Sequence, residues 1–392
     1  MPFEPTIVII PLVSALVGWA TNVLAVKMMF WPVDFLGIPP WLGWQGIIPA
    51  NAARMGKYAA RTISSKLLRL RELFDGFDAG AFVREQLAGP VERIGERVLA
   101  ELSAHADALG PTQTAALTPL VRAELERVAT RILTEVGEAI EEIVDIEAIV
   151  ADAGERDRAL IGELFLRIGR PEFRFIKRSG AYFGLLFGIL PMVIWELSPS
   201  WWLLPVAGFL VGYATNWLAL KLIFEPVNPL RLGPVVIQGL FHKRQRQVAE
   251  AFARLVADEV LHIDNMVRGM TSGAAGERLF GIIDGAIAEL IARYRQNPLT
   301  QGLLTAAQWD ELETRLPTMV RAELAAPGGL MYTFTQHTID VYGELHGRMI
   351  DLDAASFEGI LRPVFQQDEW KLIVVGAVLG LGAGVIQTLL LL

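Results

Sequence analysis

Gly18 to Val33 reads GWATNVLAVKMMFWPV, and Gly212 to Val227 reads GYATNWLALKLIFEPV. Ten of the sixteen positions are identical, and they include Thr, Asn, Lys and Pro, which generic apolar composition does not bring into register. Self-similarity of this kind makes the chain two copies of one unit. Working outward, Gln45-Gly46-Ile47 recurs as Gln238-Gly239-Leu240, and Glu172-Phe173-Arg174 with Ile176 is answered by Glu369-Trp370-Lys371 with Ile373. Behind these lies the same glycine ladder, Gly180, Gly184 and Gly188 in one copy and Gly376, Gly380 and Gly384 in the other.

Both ATN blocks sit inside apolar runs. A helix needs about 20 mainly apolar residues to cross a hydrocarbon core roughly 30 Å thick. Four runs reach that length, at about 6–30, 179–197, 201–224 and 370–392. The 392 residues are 53% hydrophobic and 20% charged, with a mean hydropathy of +0.39, too apolar for an ordinary soluble chain and too charged to lie wholly in lipid. The fold expected is therefore an all-α integral membrane protein with four transmembrane helices and two cytoplasmic helical regions. Residues 1–197 form the first repeat, with its polar region at about 31–178, and 198–392 the second, with its polar region at about 225–369. Two spans per copy bring the second copy back in the same direction, so the tandem duplication is parallel.

Orientation follows the basic residues near span ends. Arg54, Lys57 and Arg61 follow the first span, Arg167, Arg170, Arg174, Lys177 and Arg178 precede the second, and Arg231, Lys243, Arg244 and Arg246 follow the third. The expectation is a multi-pass protein of a bacterial inner membrane with both termini outside and both polar regions in the cytoplasm. The MPFEP start carries no Lys or Arg, which favours a retained first span over a cleaved signal.

The doubled ATN-x-x-A-x-K-x-x-F-x-P block, the Gly-hydrophobic turn after it and the closing Gly-x-x-x-Gly span resemble the bacterial membrane proteins grouped as "domain of unknown function 445". The resemblance runs over nearly the full length and implies a multi-span inner-membrane protein without an assigned activity. The chain departs from that pattern at Ala50-Asn51, where the family carries basic residues, whereas His242-Lys243-Arg244 keeps them.

Candidate functional or packing residues are Thr21, Asn22 and Lys27 with their counterparts Thr215, Asn216 and Lys221. An amide inside an apolar span is costly unless satisfied, so each Asn either bonds a neighbouring helix or lines a polar path. The two Lys lie on the far side of the wheel from the glycines, placed to snorkel to phosphate headgroups or to form an ion pair or headgroup site. Gly180, Gly184, Gly188, Gly376, Gly380 and Gly384 allow close helix packing within or between chains. The Trp- and Pro-rich stretch after the first span is expected at the membrane interface, with a re-entrant loop as the alternative. The stripe Leu117, Val121, Leu125, Val128, Ile132, Val136, Ile140 and Ile143 reads as one long amphipathic helix, echoed by Leu279, Ile283, Ile287, Leu290 and Tyr294. Glu138, Glu141, Glu142 and Asp145 read as a solvated face.

No cysteine is present, and the five histidines, at 105, 242, 262, 337 and 346, never fall at ligand spacing. The net charge of -8 speaks against nucleic acid as a partner. No catalytic, cofactor-binding or metal site is expected, and no cofactor. The partners expected are the lipid bilayer, phospholipid headgroups and a second copy of the chain. The expected function is non-enzymatic and structural, the cytoplasmic helices engaging membrane or protein partners. The alternatives are a transporter or lipid-handling protein using the paired Asn and Lys, and, behind both, a membrane enzyme.

Overall fold

The computed structural model describes residues 8–38, 42–105, 111–157, 159–298, 300–301, 304–366 and 369–391. Four described helices are long and apolar enough to cross a membrane: Ile9–Phe30, Arg170–Leu197, Leu203–Phe224 and Glu369–Leu391. They are called here the first ATN helix, the first ladder helix, the second ATN helix and the second ladder helix. Their outward faces are as apolar as their contacts: Leu16 is 62% exposed, Leu190 66% and Leu389 76%. A helix apolar on every side belongs in hydrocarbon, and the chain is a membrane protein. The first ladder helix begins nine residues before the run read from hydropathy, because Arg170 to Arg178 extend it by about two and a half polar turns, with Pro171 in its first turn. Residues 6, 7 and 392, the outer limits of two expected spans, lie outside the described residues.

Two compact units emerge, and each draws on both halves of the sequence. One comprises Met1–Thr62, Ala151–Leu255 and Leu345–Leu392; the other comprises Ile63–Val150 and Val256–Glu344. In the first unit the four long helices pack together, each ATN helix mainly on the ladder helix of its own half. Ile10, Trp195, Leu203 and Leu204 form a buried cluster at one end of them.

The Pro-rich stretch after each ATN helix forms a short hairpin in an otherwise helical chain. Leu36–Ile38 pairs antiparallel with Leu42–Trp44, and Leu230–Leu232 with Val235–Ile237. In the second hairpin the loop is Gly233-Pro234, with Gly233 at φ 63°, the positive angle that the first central residue of a II′ loop requires. Pro39, Pro40 and Trp41, which in sequence separate the strands of the first, lie outside the described residues. Each segment is tied back beneath its ATN helix in the same way: Gln45 Nε2 donates to the Val33 carbonyl at 2.8 Å, and Gln238 Nε2 to that of Val227 at 3.1 Å.

The second unit is a helical bundle. The long stripe is half-buried from Leu117 to Ile132 and buried at Val136, Ile140 and Ile143, and it is not one helix: Pro111–Glu138 ends, Ala139 caps a new turn, and Ile140–Ile143 follows. Ion pairs clip helices from the two halves of the sequence to one another. Glu323, 5% exposed, takes Arg93 Nε at 2.8 Å and Arg97 Nη2 at 3.1 Å, and Glu124, 6% exposed, takes Arg293 Nη1 at 3.2 Å. Arg131 bonds Glu289 at 2.6 Å and holds its carboxyl below the usual range. Glu138, Glu141, Glu142 and Asp145 are exposed, with Glu142 paired to Arg278 at 2.9 Å.

Candidate functional site

Each ATN helix meets its ladder helix at backbone contact. A Cβ on Gly18 would enter the space of the Gly180 carbonyl, and one on Gly180 that of the Gly18 carbonyl. Gly184 and Gly188 lie against Ser14. In the other pair Gly208 faces Gly380, Gly212 faces Gly376, and Gly384 lies against Leu204. Dispersion between close backbones is what small residues supply where lipid removes the hydrophobic drive.

An asparagine hydrogen bond crosses each contact. Asn22, fully buried, donates from Nδ2 to the Ile176 carbonyl at 2.6 Å, and Asn216, 4% exposed, donates to the Leu372 carbonyl at 2.8 Å. Thr21 and Thr215 turn their hydroxyls onto their own helices, to the carbonyls of Gly18 at 3.1 Å and Gly212 at 3.2 Å. Matching Ile176 with Leu372 agrees with the ladders and sets the register one residue away from the Glu172/Glu369 match read from sequence. On that register Glu172 answers Asp368, which lies outside the described residues. Replacing both Asn22 and Asn216 with Leu removes two bonds worth about 0.6–2 kcal/mol each in a membrane. The double variant is expected to insert normally and unfold at lower SDS mole fraction, and an unchanged midpoint would show that the bonds add no stability.

Lys27 and Lys221 are exposed and take no part in this contact. Lys221 Nζ stands 3.6 Å from Glu225 Oε2 and 4.9 Å from the centre of the Trp217 ring.

The structure gathers a group of residues that spacing did not single out. Between the Lys-bearing ends of the ATN helices and the first turns of the ladder helices lies a cavity of about 50 Å³. Its walls include Met29, Ile176, Leu220, Phe224 and Leu372, with two carboxylates among them, Glu172 and Glu369. Glu172 is 6% exposed; its Oε1 accepts from Arg244 Nη1 at 2.5 Å, while Oε2 meets no donor among the described residues. Glu369 Oε1 is likewise buried with no donor among them.

Beside the cavity runs a chain of charged and polar side chains. Arg362 bonds Glu358 through Nη1 and lies 3.6 Å from Glu225 through Nη2, and Glu358 Oε2 is 3.6 Å from His242 Nε2. His242, 5% exposed, also sets Nε2 3.0 Å from the Phe224 carbonyl, and because a carbonyl only accepts, that nitrogen carries the proton. Glu172 and Arg244 are 72 residues apart, so no helical spacing could join them; the only sequence signal was an acidic residue opening each closing segment. Among the described residues no group of three or more His, Asp or Glu is placed to hold a metal ion. No protein-family model, curated protein or solved structure matches the chain.

Proposed function

We propose that this chain is a non-enzymatic scaffold of a bacterial inner membrane, a parallel tandem duplication whose locked spans carry helical regions on the cytoplasmic side. The observation that supports it is the closure of both ATN–ladder pairs: carbonyl against glycine with an Asn bond across each. A transporter that alternates its access has to part helices around its site, and these two pairs are held at backbone contact with Asn22 and Asn216 bonded across them. The ion pairs that clip the second unit add to the same reading. The apolar hairpins, with Leu36 72% and Ile38 73% exposed, suit an interfacial position, since their open strand edges exclude lipid-exposed burial.

Purified full-length protein in proteoliposomes is the test. No flux of ions and no scrambling of labelled lipid above empty vesicles is expected; either activity would overturn the scaffold reading. In intact cells, single cysteines at 105 and 337 are expected to resist labelling from outside, and efficient labelling would reverse the orientation.

A lipid-handling role has one observation in its favour. The second unit holds an almost wholly apolar cavity of about 90 Å³, walled by residues such as Val91, Ile132, Ile283 and Phe334. Scrambling in the same vesicles would favour that role.

A further inference from the structure

We propose that the cavity between the ATN and ladder helices binds a primary ammonium group on a short hydrocarbon stem, with Glu369 and the free oxygen of Glu172 as its acceptors. Glu172 is more than nine-tenths buried, yet Arg244 satisfies only one of its oxygens. A buried carboxylate oxygen without a donor is costly, and the space beside it is where a donor fits. Glu369 lines the same space and adds a second buried oxygen without a donor among the described residues. The guanidinium near it, Arg362, already bonds Glu358 and stands 3.6 Å from Glu225.

The rest of the lining selects the ligand. Met29, Ile176, Leu220, Phe224 and Leu372 offer apolar contact, so the cationic end must be followed by hydrocarbon. At about 10–15 Å³ per water-sized group, the cavity holds roughly three to five such groups. That is room for a nitrogen and two methylenes. A hard metal ion fits poorly, since calcium asks for about six to eight oxygens. A quaternary ammonium brings no N–H to either carboxylate and is bulkier.

Two sources present this chemistry, the aminoethyl headgroup of a phospholipid and a soluble amine such as ethanolamine. The inference goes beyond the scaffold reading and fails separately from it, because binding is read without flux. Full-length protein in mild detergent is offered equal amounts of phosphatidylethanolamine, phosphatidylcholine and phosphatidylglycerol, and bound lipid is read by native mass spectrometry. Phosphatidylethanolamine is expected to be retained over the other two, and Glu369→Gln to lower its retention roughly tenfold by replacing a charged acceptor with a neutral one.

Leu220→Trp, which fills the cavity and leaves both carboxylates in place, is expected to cause the same loss; it provides the reading if Glu369→Gln does not fold. Displacement by free ethanolamine identifies a site open to soluble amines, and its absence one fed from the membrane. Equal retention of the three lipids, or unchanged retention in the folded variants, overturns the proposal.

Discussion

Gly380→Leu is expected to destabilise the protein by about 3 kcal/mol or more, while Gly382→Leu, two residues further along the same helix, changes stability by no more than about 0.5 kcal/mol. A Cβ at Gly380 would collide with the carbonyl of Gly208 and crowd the Cα of Gly212, so the whole Leu side chain has to be accommodated by parting two backbones. At Gly382 a Cβ meets nothing within 4 Å. Helix propensity works the other way at both sites, since Gly is about 0.8–1.0 kcal/mol worse than Ala in a helix interior. The exposed control therefore gains slightly, and the contrast isolates the crossing. Unfolding each variant from mild detergent into SDS, followed by helical signal, measures it. Equal midpoints would mean that the ladder face is not a close contact.

That contrast shows how much the sequence disclosed. Gly376, Gly380 and Gly384 announce a small face because their spacing is the helical repeat, a local property readable along one segment. The partner is not local. Gly208 lies opposite Gly380 and Asn216 opposite the Leu372 carbonyl because chain elements more than 150 residues apart meet. Read as a repeat, the sequence asks each half to answer the other, yet its Glu-aromatic-basic match stands one residue away from the match between the two carbonyls that the Asn side chains bond.

The hairpins escaped for a related reason. Pro and Gly broke the apolar pattern too often for a period of two to emerge over three-residue strands. The division into compact units was equally hidden, because each unit is assembled from both halves. Periodicity reports which face of an element is buried and is silent on what buries it. Phe173 illustrates this: its ring stands edge-on to that of Phe30, with centroids 5.1 Å apart, far away in sequence.

The same limit hid the charge pair with the largest expected effect after the glycines. Arg244→Ala is expected to cost about 3–5 kcal/mol, because it strands the Glu172 carboxylate, whose side chain is only 7% exposed, without its charge partner. The pair itself need not be strongly stabilising, as the desolvation of both ions offsets much of their attraction. The two statements are separated by a second substitution. Glu172→Gln in the Arg244→Ala background removes the stranded charge, and the double variant is expected to recover most of the lost stability.

Arg244 is 27% exposed at its side chain, so its own release to water is cheap, and the penalty resides almost wholly on the carboxylate side. If the single variant unfolds at the wild-type SDS midpoint, Glu172 has found another donor, and the Oε2 oxygen that lacks one here would be the place where it entered. If the single and double variants are equally destabilised, the loss comes instead from the Arg244 side chain, whose Nε also bonds the Gln247 side-chain oxygen at 2.8 Å. Recovery in the double variant alone identifies a buried charge at the membrane end of the ladder helix as the source, which is the electrostatic condition on which recognition of a cationic headgroup there depends.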